Sequence, residues 1–218
     1  MPKQKYDILT FGSIVVDIIV RVPEDSPTRL DIEEGIWEIP LGDKIRVDES
    51  VMSLGGGSGN SSTGFQRLGL NAVPFGVIGD QANHKFILHE LEAAGVDTSH
   101  LTIAKDQSCS FSVILNSHIG ERTIFHKRTT CCDFGNTKAI EMPNARGAYI
   151  AHLYDCSENL IFETEKWKKS NGNTPVWGWN PGKTQFKKGL EYFREILPSV
   201  DVLILNKEEA EQFTNLKA

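Results

Sequence analysis

Short apolar runs rich in β-branched residues alternate along this chain with segments whose apolar residues recur at helical spacing. The runs are Tyr6 to Phe11, Ile14 to Val20, Ala72 to Ile78, Ala148 to Leu153, Val176 to Trp179 and Val202 to Leu205. Between them Ser61 to Leu68, Lys85 to Ala94, a stretch near Glu158 to Ser170 and Gly189 to Leu197 carry the helical period, and Glu208 to Phe213 opens one more helix. Near-continuous apolar strands joined by crossover-length helices predict an α/β fold, with a mostly parallel central sheet flanked by helices.

A second texture interrupts the first. In Gly35 to Val47, Ser108 to Asn116 and Arg122 to Arg128, polar and apolar residues alternate with period two, as in half-exposed antiparallel strands. These segments predict a small β-sheet outside the main one, a lid with strands within about 14–21, 35–50, 108–116 and 122–128. The longest linker candidate is Pro23 to Glu34, and no internal repeat or low-complexity tract is present.

Composition narrows the functional classes. The chain has 218 residues, 39% hydrophobic, which is enough apolar surface for one large domain carrying a small extra layer. Its formal net charge of −6 lacks the basic footprint of a nucleic-acid binder. The first apolar run is broken by Gly12, Ser13 and Asp17, so it reads as a strand rather than a leader, and no run approaches a membrane span. Four cysteines (Cys109, Cys131, Cys132, Cys156) form no C-x-x-C and read as reduced thiols of a cytoplasmic protein. The six histidines have no metal-ligand spacing, and no G-x-S-x-G elbow is present.

Three segments could carry chemistry. Asp17 is a carboxylate inside an apolar strand, costly unless it is paired or hydrogen-bonded. Two roles fit: accepting hydrogen bonds from substrate hydroxyls, or bonding local backbone at a strand end. Ser53-Leu54-Gly55-Gly56-Gly57-Ser58-Gly59-Asn60 precedes a helix. It could cradle a polar small molecule on free helix N–H groups, with Asn60 as N-cap or direct contact, or it could be a flexible turn. Asn206-Lys207-Glu208-Glu209 follows an apolar run; Asn206 and Glu209 have capping-box spacing and could equally face a phosphate-bound cation and its waters. Gly182-Lys183-Thr184 looks like the end of a P-loop, but the earlier glycine is misplaced and Pro181 stands where a backbone N–H is needed.

Seven segments in register resemble the ribokinase-like, or phosphofructokinase-B type, carbohydrate kinases. They are Asp17, Gly55-Gly56-Gly57-Ser58-Gly59-Asn60, Arg67-Leu68-Gly69, Val77-Ile78-Gly79-Asp80, Ala94-Gly95-Val96-Asp97-Thr98, Gly120-Glu121-Arg122-Thr123 and Asn206-x-x-Glu209. The resemblance implies an α/β domain that binds a sugar or nucleoside under a β lid and transfers the γ-phosphoryl group of ATP to a hydroxyl, with Mg²⁺ as cofactor. It implies that Asp17, Gly55, Gly56 and Asn60 bind the substrate, and that Asn206 and Glu209 organise the phosphates, Glu209 through waters on Mg²⁺. The stretch from His152 to Asp155 lies near another sugar contact of some members.

The largest departure is the absence from these 218 residues of the Gly-x-Gly-Asp segment that supplies the family's anion hole and general base. The expected architecture is therefore a ribokinase-like domain with its C-terminal part missing, a kinase catalytically incomplete as this chain; the alternative is a non-catalytic sugar or nucleoside binding module. Val202 to Leu205 is apolar throughout, as for a strand buried on both faces, yet only Asn206 to Ala218 follows to cover it. An uncovered apolar edge is a template for association. The expected macromolecular partner is a second copy joined through the lid or a complementing C-terminal fragment, with no nucleic acid and no membrane.

Overall fold

The computed structural model describes residues 6–129, 141–154, 157–172 and 174–217. Cys131, Cys132, Asp155 and Cys156 lie outside the described residues. From its N-terminal side the chain forms β1 (Tyr6–Phe11), β2 (Val15–Arg21), β3 (Arg29–Asp31), β4 (Ile36–Glu38) and β5 (Glu49–Gly55), then helix α1 (Gly57–Arg67) and β6 (Ala72–Gly79). Next come α2 (His84–Ala93), β7 (Leu101–Ala104), β8 (Phe111–Asn116), β9 (Arg122–Lys127) and β10 (Ala145–Ile150). The last elements are α3 (Asn159–Ser170), β11 (Val176–Trp179), α4 (Lys183–Tyr192), β12 (Val202–Leu203) and α5 (Lys207–Thr214).

Six strands make one parallel sheet in the order β12-β11-β10-β1-β6-β7. Its strands are apolar on both faces because both faces are covered. Leu9 and Phe11 of β1, Ile150 of β10 and Trp177 and Trp179 of β11 pack with Ile161 of α3, Phe186 of α4 and Phe213 of α5. Trp179, fully buried, meets Phe193 edge-on at 5.1 Å and Phe213 at 6.0 Å. Burial of each such ring contributes about 1.5–3 kcal/mol, which makes this helical face the thermodynamic centre of the domain. Lys168, 5% exposed, fastens α3 to the sheet: its ammonium donates to Ser199 O at 2.9 Å and to the Asp201 carboxylate, which also accepts the Trp177 N–H at 2.6 Å.

The small sheet expected as a lid is a separate four-stranded sheet in the order β5-β2-β8-β9. It is mixed rather than purely antiparallel, because β2 runs parallel to β8. One lid face is seated on α2: Val16, Ile18, Leu54 and Phe111 pack with Ile87 and Leu91. The segment 35–50 does not supply one lid strand. Its first part belongs to a two-stranded hairpin, β3–β4, and the strand that joins the lid begins at Glu49.

Other boundaries also move. β7, with only four residues, extends the main sheet beyond the runs legible by hydropathy. The helix expected over Gly189 to Leu197 starts instead at Lys183, and Gly189 at φ +75° breaks it. As expected of an uncovered apolar edge, β12 is the edge strand, paired among the described residues with β11, and Val202, Leu203 and Ile204 are 40–47% exposed. No described helix is long and apolar enough to cross a membrane.

Candidate functional site

β1 lies at the centre of the sheet, and the chain leaves it in two directions: β6 and β7 build outward on one side, then β10, β11 and β12 on the other. The carboxyl end of β1 is therefore a topological switch point, where open α/β sheets form their binding crevices. The turn Gly12-Ser13 sits there, and the glycine-rich loop before α1 packs against it.

Ser13 decides what that loop can do. Its carbonyl accepts the N–H groups of Ser58 (3.0 Å) and Gly59 (3.4 Å), and its hydroxyl accepts that of Gly57 (3.4 Å). The first-turn donors of α1 are thus already satisfied, and the expected cradle of free N–H groups is corrected: a ligand here meets side chains instead. Gly56, at φ +86°, is required by this packing, since a Cβ would lie 2.4 Å from Ser13 O. Ser58, fully buried, fixes α1 to β1 by donating to Thr10 O at 3.0 Å.

Asp17 is not a buried carboxylate. It is half-exposed on the lid face turned away from α2, and it lies over Gly55, where a Cβ would be 2.0 Å from its Oδ2. Cross-strand pairing sets it in a polar row, Ser53–Asp17–Ser112–His126, in which Ser112 Oγ and His126 Nδ1 are 3.1 Å apart. Asn60 is neither N-cap nor buried. Gly56 occupies the cap, and the Asn60 amide is exposed in the first turn of α1 with no hydrogen bond among the described residues. Asp17, Gly55, Gly56 and Asn60 are thereby brought together around one loop.

Asn206 and Glu209 form the capping box their spacing predicts: Asn206 Oδ1 accepts the Glu209 N–H at 2.8 Å, and Glu209 Oε2 accepts the Asn206 N–H at 3.0 Å. They stand beyond the carboxyl ends of β11 and β12, where Asn180 also donates to Ile204 O at 2.8 Å. Mg²⁺ retains several waters and needs only one or two carboxylates beside the phosphates. The half-exposed Glu209, with one oxygen committed to the cap, fits such water-mediated contact. No group of three or more acidic, histidine or cysteine side chains among the described residues could hold a metal by itself.

His152, singled out in the sequence only as part of a stretch, joins the two halves. A Cβ on Gly57 would lie 2.4 Å from the Ala151 Cβ, so the backbone beside His152 touches the glycine-rich loop. On its other side the imidazole lies on Gly182, where a Cβ would be 2.2 Å from Nδ1. Gly182 is thus a packing glycine, and Thr184 donates to Leu153 O at 2.7 Å; neither cradles phosphate as a P-loop would. The His152 ring lies 4.8 Å from that of Tyr154, over which the Arg128 guanidinium sits at 3.4 Å, a stack linking the residue after β9 to the segment that follows β10. Burial first, then the charges of Arg128 and Lys183, hold the imidazole below its ordinary pKa of 6.5 against the opposing pull of Glu209. Its Nε2 is buried without a hydrogen-bond partner among the described residues. The sequence signal for Ser13, His152 and Gly182 was weak, because each acts through a contact between segments far apart in the chain.

A parallel sheet whose order reverses at the carboxyl end of β1, and a second sheet whose Asp17 lies over the glycine-rich loop that packs there, define an α/β domain with polar side chains gathered at its switch point. Residues 7–218 match the pfkB family carbohydrate kinase, and the chain belongs to that family. An ATP-dependent 6-phosphofructokinase of Thermoanaerobacterium thermosaccharolyticum is 20% identical over 96% of this chain and 61% of its own length. The fold is also that of a ribokinase from Cryptococcus neoformans in complex with ADP (TM-score 0.69, 20% identity, 96% of this chain and 61% of that one). It is shared by an adenosine kinase from Sinorhizobium meliloti (TM-score 0.70, 20% identity, 98% of this chain and 69% of that one). The chain thus spans about three fifths of the length of the 6-phosphofructokinase and of the ribokinase.

Proposed function

We propose that the crevice binds a sugar or nucleoside under the lid and that the held hydroxyl is the acceptor for the γ-phosphoryl group of ATP. Asp17 accepts hydrogen bonds from substrate hydroxyls, the Asn60 amide supplies a donor and an acceptor beside it, and Gly55 and Gly56 let the loop approach closely. Asn206 and Glu209 face the phosphates, Glu209 through the waters of Mg²⁺, which when bound neutralises charge on the transferring group. The observation that supports the reading is the position of Asp17 over Gly55, a half-exposed carboxylate held against the glycine-rich loop that packs at the sheet's switch point.

Binding without transfer is the second reading, since Asp17, Gly55, Gly56 and Asn60 would hold a substrate and none of them is assigned as general base. Phosphoryl transfer rests on positioning and charge stabilisation together, whereas binding needs only the first. Pairing of two copies completes the proposal. The lid face seated on α2 carries an apolar row, Met52–Ile18–Val113–Phe125, whose ends are 47% and 56% exposed.

The test is ADP release and substrate binding measured side by side with ribose, adenosine and fructose 6-phosphate. Saturable binding of one of them with ADP release supports the kinase; binding without release supports the binding module. Neither binding nor release, in protein that melts cooperatively, overturns both.

A further inference from the structure

The lid face that carries Asp17 is laid out in rungs running across its four strands. Beyond the polar row Ser53–Asp17–Ser112–His126 comes an apolar one, Val51–Ile19–Ile114–Ile124, and beyond that a charged one, Glu49–Arg21–Asn116–Arg122. At this far end, about 13 Å from Asp17 at some 3.3 Å per residue, a cavity of about 390 Å³ opens against the last two rungs. Ile19, Arg21, Glu49, Val51, Ser117 and His118 line it. The turn after β8 closes it, with Gly120 N–H donating to Ser117 O at 3.1 Å and Ser117 N–H to Glu121 O at 2.8 Å.

Two observations point to a ligand. Ser117 is 5% exposed, and its hydroxyl is buried with no hydrogen-bond partner among the described residues, a state native proteins rarely leave unexplained. Arg21 and Glu49 stand directly opposite on neighbouring antiparallel strands, where unlike charges ordinarily pair. Here no ion pair joins them, and both remain exposed along the cavity. A lone anion would be repelled by Glu49 and a lone cation by Arg21. A molecule carrying both charges satisfies the two.

We infer that this cavity binds a small zwitterion, an α-amino acid with an apolar side chain. Its carboxylate lies against the Arg21 guanidinium and the Ser117 hydroxyl, its ammonium against Glu49, and its side chain on Ile19 and Val51. The volume lies within the range of small-molecule sites. This site is separate from the acceptor crevice and does not depend on the kinase reading.

The experiment is calorimetric titration of the 218-residue protein with L-leucine. Saturable one-to-one binding is expected. N-acetyl-leucine, which lacks the ammonium, and isoamylamine, which lacks the carboxylate, should each bind weaker by about tenfold or more. Arg21→Gln and Glu49→Gln should each weaken leucine by a similar factor, while Asp17→Ala, which touches only the acceptor crevice, should leave it unchanged. Melting curves confirm that each variant is folded. No leucine binding by folded protein, or equal affinity for leucine and N-acetyl-leucine, overturns the assignment. So does a change of oligomeric state in Arg21→Gln and Glu49→Gln without leucine binding, which would place these charges at an interface between copies.

Discussion

The Asp17 carboxylate lies across the Cα of Gly55, so close that a Cβ at that position would stand 2.0 Å from Oδ2 and 2.5 Å from Cγ. The glycine is required by a neighbouring side chain rather than by backbone conformation. Gly55→Ala must displace either the carboxylate or β5. It is expected to weaken sugar or nucleoside binding about as much as loss of the carboxylate does, with an overpacking cost of about 1–3 kcal/mol. Calorimetry and thermal melting of the same sample separate the two effects; unchanged affinity would show that the carboxylate position is irrelevant to binding.

The imidazole of His152 should titrate below 6.5, since burial and the charges of Arg128 and Lys183 favour its neutral form. With its folded value depressed, the unfolded chain takes up the proton first as pH falls. Its contribution to stability is thus complete above about pH 6.5 and lost on descent through the folded value. Among the described residues Glu209 is the charge pulling the value upward, so Glu209→Gln should lower it further while preserving the capping box. A proton NMR titration of the ring in both proteins checks this. A rise in Glu209→Gln would contradict the crevice geometry that places the carboxylate within reach of His152.

Much of the fold was legible because the strands announce themselves. Ala72 to Ile78 and Val176 to Trp179 are nearly unbroken apolar runs, and such runs form parallel strands when both faces are covered. β7 was not legible, since four residues with half-exposed side chains carry no period. The same limit applies to the site. Asp17 stood out as a carboxylate in an apolar run, but its run belongs to the lid, where one face is open, so the burial inferred from it was too high. The capping of α1 by Ser13 was invisible because it joins residues more than forty positions apart.

Lys168 and Asp201 supply a prediction about stability alone. Partial burial of the Asp201 carboxylate raises its pKa, but the Lys168 ammonium and the Trp177 N–H outweigh that and hold it below 3.8. The stabilisation is present above about pH 4 and is lost as pH falls through the lowered value. Lys168→Ala removes a nearly buried ammonium with two acceptors and should cost about 2 kcal/mol at neutral pH. Denaturant unfolding at pH 7 and pH 3 tests both statements: the difference between wild type and variant should shrink in acid, and an equal difference at both pH values would exclude the ion pair as its source.

The claim that the switch-point crevice is an acceptor site rests most heavily on Asp17, so the decisive measurement is calorimetric titration of wild type and Asp17→Ala with whichever of ribose, adenosine or fructose 6-phosphate the wild type binds. A hydrogen bond to a charged group is worth about 1.5–3 kcal/mol. The variant should therefore bind about 10- to 150-fold more weakly with an unchanged melting temperature. Equal affinity in the two proteins would remove Asp17 from the site and contradict the account.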